Sequence, residues 1–178
     1  MILERAIIAG YGRHVAPENK PAYAYNAHMT APDFRPMTEA DLPALLPLMQ
    51  EFYLDQHMHF DRETAATRVK QLVNNPELGR AMLIFVGGKL GGYVVLTFCL
   101  SLEYGRFGLL DELYILPAFQ RQGIGHAVIA QAEAICREEK MTALRLEVGY
   151  ENPEAQVLYI HAGFKPDPRH IMTKWVKA

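Results

Sequence analysis

Apolar side chains early in the chain follow the spacing of an α-helix. Between residues 39 and 54, leucine, methionine and aromatic residues recur every three or four positions, which gives a helix one apolar face. The pattern predicts a short strand at residues 34–37, an amphipathic helix at residues 39–54 and a second helix from Glu63 to Val73. We expect the second helix to end there because Asn74-Asn75-Pro76 is a strong helix breaker.

Three apolar runs follow, and turn residues separate them. Residues 81–86, 90–100 and 109–116 have the length and composition of strands. Gly87-Gly88-Lys89 is typical of a hairpin turn, and the segment from Glu103 to Arg106 supplies a second turn. We therefore expect three consecutive antiparallel strands in this part of the chain.

The rest of the chain changes between helical and strand patterns. Apolar residues return to helical spacing from Ile124 to Lys140 and then alternate as a strand from Ala143 to Val148. A further helix is expected from Asn152-Pro153 to Gly163-Phe164, since proline suits the first helical position. The segment from His170 to Val176 predicts a final strand. This order of elements predicts a mixed α/β fold in one domain.

Composition places limits on the type of protein. Residues 1–32 contain three prolines and two glycines, which predicts an irregular N-terminal arm on a domain of residues 33–178. The formal net charge of −2 argues against a nucleic-acid partner, which normally requires a basic face. No run approaches the roughly 20 apolar residues of a membrane span. We therefore expect a cytoplasmic protein without a membrane partner, in which Cys99 and Cys136 are buried, reduced thiols.

The start of the helix after residue 116 carries the most informative chemistry. Gly123 and Gly125 lie where a predicted strand and turn lead into this helix, and the first turn of a helix has unpaired N–H groups. Such a turn binds anions, and glycine lets a pyrophosphate approach the backbone closely. The alternative is that the glycines only permit tight packing of the helix. The segment matches neither GxxxxGK[ST] nor GxGxxG, which excludes the usual nucleotide loops here.

Two segments around this turn resemble a known family. Gln120-x-x-Gly123-x-Gly125, entered from Asp111 to Ile115, resembles the acyl-CoA-binding motif of the GNAT superfamily of N-acetyltransferases. The segment from Leu146 to Phe164 is similar to the strand and helix that follow in that family. The resemblance covers about residues 33–176. It implies a single GNAT-type α/β domain, with a central, mostly antiparallel sheet that is splayed at the cofactor strand and carries helices on both faces.

The resemblance also implies where acetyl-CoA, the acyl donor, binds. The pyrophosphate would lie on the backbone of the loop from Arg121 to His126, and the pantetheine arm would pair with backbone groups near Leu113 and Ile115. No metal is expected, since the pair His57 and His59 has no evident third ligand. The residues implied to contact acetyl-CoA are Leu113, Tyr114, Ile115, Gln120, Arg121, Gln122, Gly123, Ile124, Gly125, His126, Asn152 and Tyr159.

A reaction of this type needs an uncharged amine and a proton donor for the departing thiolate. A free alkylamine is mostly protonated at neutral pH, so a base must remove its proton. Glu112, at the splayed strand, is the first candidate base, and Glu103, in the preceding loop, is the second. Tyr159 is similar to the family's tyrosine near the thioester sulfur and would donate the proton. Each residue also has a simpler interpretation. Tyr159 would be a core tyrosine, Glu112 a salt-bridge carboxylate and Glu103 an ordinary loop acid.

These expectations combine into one function. The chain is expected to transfer an acetyl group directly from acetyl-CoA to a primary amine in a ternary complex. The resemblance implies that the loop from Tyr53 to Asp61 lines the acceptor site, where Asp55 and Asp61 would attract a cationic amine. The alternative for this segment is a solvated loop over a hydrophobic edge. The alternative function is a non-catalytic acyl-CoA sensor or interaction module. The acceptor stays open between a small molecule and a protein, and a homodimer is compatible with the family and with the extra arm.

Overall fold

Five strands and four α-helices make up the part of the chain that the computed structural model describes, residues 31–176. The strands are β1 (Asp33–Pro36), β2 (Gly79–Val86), β3 (Lys89–Ser101), β4 (Gly105–Ile115) and β5 (Ala143–Leu146). The helices are α1 (Leu42–Asp55), α2 (Arg62–Val73), α3 (Ile124–Glu138) and α4 (Pro153–His161), and short 3-10 turns lie at Glu39–Asp41 and Pro117–Phe119.

The sheet follows the order of the chain, β1-β2-β3-β4-β5. The first four strands pair antiparallel, and β5 pairs parallel with β4. That parallel pairing is short, since it joins Phe107–Leu110 only to Ala143–Leu146. Beyond Leu110, β4 continues along β3 without β5 beside it. The predicted mixed sheet, splayed at the strand that leads into the glycine-containing turn, is therefore confirmed.

Alternation along the central strands divides the core between the two faces of the sheet. Leu83 and Tyr93 point to one face, where α1 and α2 cover them. Ile84 and Val94, the next residues along β2 and β3, point to the other face and pack against α3. Because successive side chains of a strand face opposite ways, a central strand with helices on both sides must be apolar throughout. The expectation of helices on both faces is confirmed.

Capping side chains determine where two of the helices begin. The Asp61 carboxylate accepts a hydrogen bond from the Thr64 N–H group at 2.7 Å, at the start of α2. The Asn152 side chain accepts from the Ala155 N–H group at 3.1 Å, and Pro153 occupies the first position of α4. Each cap satisfies an N–H group that the helix itself leaves unpaired. The predicted start of α4 at Asn152-Pro153 is thereby explained.

The predicted final strand from His170 to Val176 is wrong. Residues 169–176 have no regular secondary structure, and large apolar side chains among them are exposed. The composition of this segment suits a strand, but a strand exists only where a neighbouring strand pairs with it. No strand within residues 31–176 pairs with this segment.

Some expectations fall at the limits of the described residues. The predicted arm at residues 1–32 lies outside them, apart from its last two residues. Within residues 31–176, no helix is long and apolar enough to cross a bilayer. Cys136 is buried, Cys99 is half-buried, and both are free thiols.

Candidate active site

A cleft of about 550 Å³ opens where β4 and β5 separate. One wall is the unpaired side of β4 from Leu110 to Ile115, and the facing wall is the segment of residues 147–149 that follows β5. The loop into α3 and helix α4 close the two ends. A groove of this size, with a free strand edge and a helix N-terminus, suits an extended ligand that carries phosphate groups.

The N-terminus of α3 supplies the anion-binding end of the cleft. Gly123 precedes the helix with φ of 73°, a left-handed conformation that glycine adopts without strain. No side-chain hydrogen bond from residues 31–176 caps this helix, so the N–H groups of Ile124 and Gly125 have no side-chain cap. Both residues line the cleft, as does His126. This turn therefore presents backbone N–H groups at the positive end of a helix dipole.

Two glutamine side chains hold the loop that leads into α3. The Gln120 amide donates a hydrogen bond to the Ile115 carbonyl at 2.8 Å, and the Gln122 amide donates to the Ala118 carbonyl at 3.0 Å. Both were expected to contact acetyl-CoA. Gln120 lines the cleft and ties the loop to the end of β4, whereas Gln122 bonds to the 3-10 turn at Pro117–Phe119 and is not among the residues that line the cleft. These bonds fix the backbone that would receive the phosphates.

Gly125 has a packing role that its sequence position only suggested. A Cβ atom at this residue would lie 2.8 Å from Leu158 Cδ2, closer than real Cβ atoms approach. Its missing side chain therefore lets α3 lie directly against α4. Gly125 thus fits the alternative that a glycine permits tight packing of this helix. Gly123 is explained differently, because its left-handed backbone conformation favours glycine.

Arg121 adds positive charge at the rim of the cleft. Its guanidinium forms an ion pair with the Glu154 carboxylate at 3.0 Å, and both side chains are largely exposed. An exposed pair of this kind contributes little to stability. The arginine can therefore turn toward an incoming phosphate at small cost.

Helix α4 places Asn152 and Tyr159 on the cleft. The Asn152 Oδ1 atom caps α4, which leaves its amide N–H groups for a ligand. The Tyr159 ring packs edge-on against Phe164, and its hydroxyl has no hydrogen-bond partner within residues 31–176. Burial raises the pKa of this tyrosine. Tyr159 thus stays protonated at neutral pH and can donate a hydrogen bond into the cleft.

Glu112 lies beside the cleft but points toward α1. Its two carboxylate oxygens accept hydrogen bonds from the Tyr53 hydroxyl at 2.7 Å and from the Tyr93 hydroxyl at 2.8 Å. Burial raises its pKa, while the two hydroxyl groups oppose that shift. Glu112 is absent from the residues that line the cleft. The structure therefore places this candidate base next to the cleft, but its carboxylate is not exposed to the cleft.

Glu103 lies far from the cleft. It belongs to the turn between β3 and β4, at the opposite end of β4 from the loop into α3. The Arg169 guanidinium donates two hydrogen bonds to its carboxylate, at 2.6 and 2.8 Å, and lowers its pKa. The structure does not bring Glu103 together with the other predicted site residues.

Two carboxylates that sequence reasoning did not select as bases line the cleft. Asp111 lies on the β4 wall and Glu147 on the facing wall. Asp111 occupies a β-bulge, because Leu110 and Glu112 pair with the adjacent residues Leu96 and Val95 of β3. Desolvation raises the pKa of Asp111. The alternation of apolar and polar residues does not reveal a bulge, so the sequence alone does not place Asp111 on the wall of the cleft.

The expected acceptor loop is divided by the structure. Asp55 lines the cleft, at the end of α1, whereas Asp61 is committed to capping α2. Phe60 packs against the Tyr53 ring, and Met58 is exposed. Within residues 31–176, no three histidine, cysteine or acidic side chains come together to hold a metal ion, and His57 and His59 form no such group. Asp55 is thus the acidic residue of this loop that reaches the cleft.

Comparison with known proteins settles the family. The sequence profile of the acetyltransferase (GNAT) family matches residues 42–164, which include both walls of the cleft. The chain belongs to the GNAT family. This GNAT protein is also 26% identical, over 164 residues, to an uncharacterized N-acetyltransferase of Methanocaldococcus jannaschii, a match that covers 90% of the chain and 71% of the relative.

Solved structures share the same fold. An integron cassette protein from the mobile metagenome of Cole Harbour Salt Marsh has a TM-score of 0.71 and 29% identity, and the match covers 82% of this GNAT chain and 91% of the other. A predicted acetyltransferase from Clostridium acetobutylicum with acetyl-CoA has a TM-score of 0.69 and 12% identity, with coverage of 80% and 96%. The family resemblance drawn from the sequence is therefore confirmed, and membership supports acetyl transfer as the general activity.

Proposed function

We propose that this GNAT protein transfers an acetyl group from acetyl-CoA to a primary amine, directly, within a ternary complex. The observation that carries the proposal is the cleft between β4 and β5, which joins an uncapped helix N-terminus to a free strand edge and to Tyr159. These three parts match the three parts of acetyl-CoA: the pyrophosphate, the pantetheine arm and the thioester.

Acetyl-CoA fits the groups that this cleft presents. The N–H groups at the start of α3 would bind the pyrophosphate, with Arg121 adding charge. The free edge of β4 near Leu113 and Ile115 would pair with the pantetheine amides, and the Asn152 amide would contact the same arm. The solved structure of the predicted acetyltransferase from Clostridium acetobutylicum with acetyl-CoA supports the choice of acyl donor.

Proton transfer would use residues on opposite walls of the cleft. Tyr159, whose hydroxyl is unpaired among the described residues and whose pKa burial raises, would donate a hydrogen bond to the departing thiolate. Asp111 would accept the amine proton, because its carboxylate lines the cleft and desolvation raises its pKa. Glu112, the first candidate base from the sequence, would influence the reaction only through the hydroxyl groups of Tyr53 and Tyr93, which donate hydrogen bonds to its carboxylate.

The acidic residues of the cleft favour a cationic acceptor. Asp55, Asp111 and Glu147 are among the residues that line it, so an ammonium group that enters the cleft would meet negative charge there. A primary amine is the acceptor that arrives with such a charge and becomes nucleophilic once it loses one proton.

A panel of amines tests this function. Full-length protein is mixed with acetyl-CoA and with cationic, neutral or anionic primary amines, and the release of free thiol is measured. We expect release with cationic amines and little release with anionic ones. Tight binding of acetyl-CoA without release for any amine would contradict the proposal and would instead support a non-catalytic acyl-CoA sensor.

A further inference from the structure

A half-buried carboxylate joins the end of α1 to the centre of the sheet. The Glu112 carboxylate of β4 accepts hydrogen bonds from the Tyr53 hydroxyl of α1 at 2.7 Å and from the Tyr93 hydroxyl of β3 at 2.8 Å. We call these three residues the carboxylate bridge. Burial and the neighbouring Glu112 carboxylate raise the pKa of both tyrosines, so both hydroxyl groups stay protonated and donate. Both oxygens of Glu112 therefore hold three elements together.

A second hydroxyl group supports the same turn of α1. The Tyr114 hydroxyl donates a hydrogen bond to the Glu51 carboxylate at 3.0 Å. Glu112 and Tyr114 are two positions apart on β4, so their side chains leave the same face of the sheet, the one that α1 covers. Phe52 follows Glu51 in the chain, and the centroid of its ring lies 6.4 Å from that of Tyr93 and 6.0 Å from that of Tyr114. Polar and aromatic contacts thus meet at one turn of the helix.

The second half of α1 gains support from these contacts. Pro47 lies inside the helix and has no N–H group, so the helical hydrogen bond to the Pro43 carbonyl cannot form. A helix interrupted in this way is held less firmly by its own backbone beyond the proline. The hydrogen bonds from Tyr53 and Tyr114 therefore help to fix the end of α1 relative to β4.

The end of α1 has the chemistry of a site for an ammonium group. Phe52 and Asp55 of α1 line the cleft, and so does Tyr114 of β4. The face of an aromatic ring attracts a cation, and the carboxyl end of a helix carries partial negative charge. The last turn of α1 contains no basic side chain that would neutralise this charge. The acceptor amine of the proposed reaction would therefore be held where the carboxylate bridge fixes α1.

We propose that Glu112 is a positioning residue, which sets the site of the acceptor amine by holding the end of α1 against the sheet through Tyr53 and Tyr93. The inference rests on the proposed acetyl transfer and names what holds its acceptor site in place. A base must take up a proton, whereas a bridge needs only a group that forms hydrogen bonds with both hydroxyl groups. Glutamine meets the second requirement alone, because its oxygen accepts one bond and its amide donates another.

Replacing Glu112 by alanine or by glutamine separates the two roles. The amine used is the cationic primary amine that gives the fastest thiol release with the wild type. Glu112→Ala removes the bridge, and the KM for this amine should rise about tenfold, since hydrogen bonds to a charged group are lost. Glu112→Gln should keep this KM within about twofold of the wild-type value and should keep the acidic limb of the pH profile. An equally large loss of kcat in both variants would identify the carboxylate as the base and overturn the proposal.

Tyr53→Phe removes the bond between the bridge and α1 without opening a large cavity, in case Glu112→Ala does not fold. The new ring can still pack edge-on against Phe52, and circular dichroism would verify the fold. The KM for the amine should rise about tenfold, while kcat and the KM for acetyl-CoA stay within about twofold of the wild-type values. Tyr104→Phe is the matched control and should behave as the wild type, because that hydroxyl bonds to Asp167 outside the cleft. An unchanged KM for the amine in Tyr53→Phe, or an equal rise in both KM values, would contradict the proposal.

Hydrogen exchange tests the bridge without any reaction. Amides of residues 53–58, at the end of α1, should exchange about tenfold faster in Tyr53→Phe than in the wild type, while those of α3 should be unaffected. Unchanged exchange at the end of α1 would refute the bridge. Absence of transfer by the wild type to any amine would instead refute the proposed function, and exchange would still decide whether Glu112 holds α1.

Discussion

At the scale of single residues, Asp111 owes its position to one irregularity in β4. Without the bulge, Asp111 would continue the regular alternation of side chains along β4, and that alternation would decide which way its carboxylate points. With the bulge, it lies on the wall of the cleft. The neighbouring Glu112 instead has both oxygens occupied by tyrosine hydroxyl groups. Two adjacent carboxylates therefore have different environments and different expected roles.

The variant Asp111→Asn should lower kcat by about a hundredfold. Since desolvation in the cleft raises the pKa of Asp111, the active carboxylate is lost as pH falls through that raised value, and wild-type activity should decline there. The profile of kcat/KM against pH should lose this acidic limb in the variant. Glu112→Gln is the control and should keep the limb. Loss of the limb in Glu112→Gln but not in Asp111→Asn would identify Glu112 as the base.

Tyr159→Phe should lower kcat by about ten- to a hundredfold while the KM for acetyl-CoA stays nearly unchanged. The reason is that the hydroxyl would act on the departing thiolate rather than in ground-state binding. Tyr104→Phe is a matched control, because its hydroxyl bonds to Asp167 outside the cleft. Equal rates for wild type and Tyr159→Phe would show that Tyr159 is only a core tyrosine.

At the scale of elements, the separation of β4 from β5 and the contact between α3 and α4 together shape the site. The cleft exists because β5 stops pairing at Leu146 while β4 continues to Ile115. Its far end is formed by α4, whose Leu158 side chain occupies the space that a side chain at Gly125 of α3 would need. A change at this helix contact should therefore alter acetyl-CoA binding.

Gly125→Val should raise the KM for acetyl-CoA by about tenfold, because the new side chain meets Leu158 and pushes α4 away from α3. Adding Leu158→Ala makes space for the valine and should recover part of this loss. Steady-state kinetics on the two single variants and the double variant give the coupling between the positions. If the effects of the two single substitutions on the KM simply add in the double variant, the two positions are not coupled. Gly125 would then be needed for the approach of the phosphates instead.

Most elements could be predicted from the sequence because their apolar patterns are local. The hairpin turn at Gly87-Gly88-Lys89 and the start of α4 at Asn152-Pro153 follow from residue types with strong backbone preferences. The irregular structure of residues 170–176 could not be predicted, since composition does not reveal whether a neighbouring strand pairs with the segment. The distance of Glu103 from the cleft could not be predicted for a similar reason: its pairing with Arg169 joins residues far apart in sequence.

At the scale of the whole molecule, the sheet links two cores to one cleft. Tyr114 belongs to the core under α1 and α2, and Leu110 to the core under α3, yet both also line the cleft. The site is thus built on a strand that is held from both faces, which limits movement of the β4 wall.

The most direct test of the central claim follows the acetyl group itself. Protein, acetyl-CoA labelled with carbon-13 in the acetyl group, and a cationic primary amine are mixed, and the label is followed by NMR. Transfer through the cleft between β4 and β5 predicts that the label leaves the thioester and appears as an amide of that amine, at a rate that Tyr159→Phe lowers. Label that remains in the thioester, or that appears only as free acetate, would contradict the account.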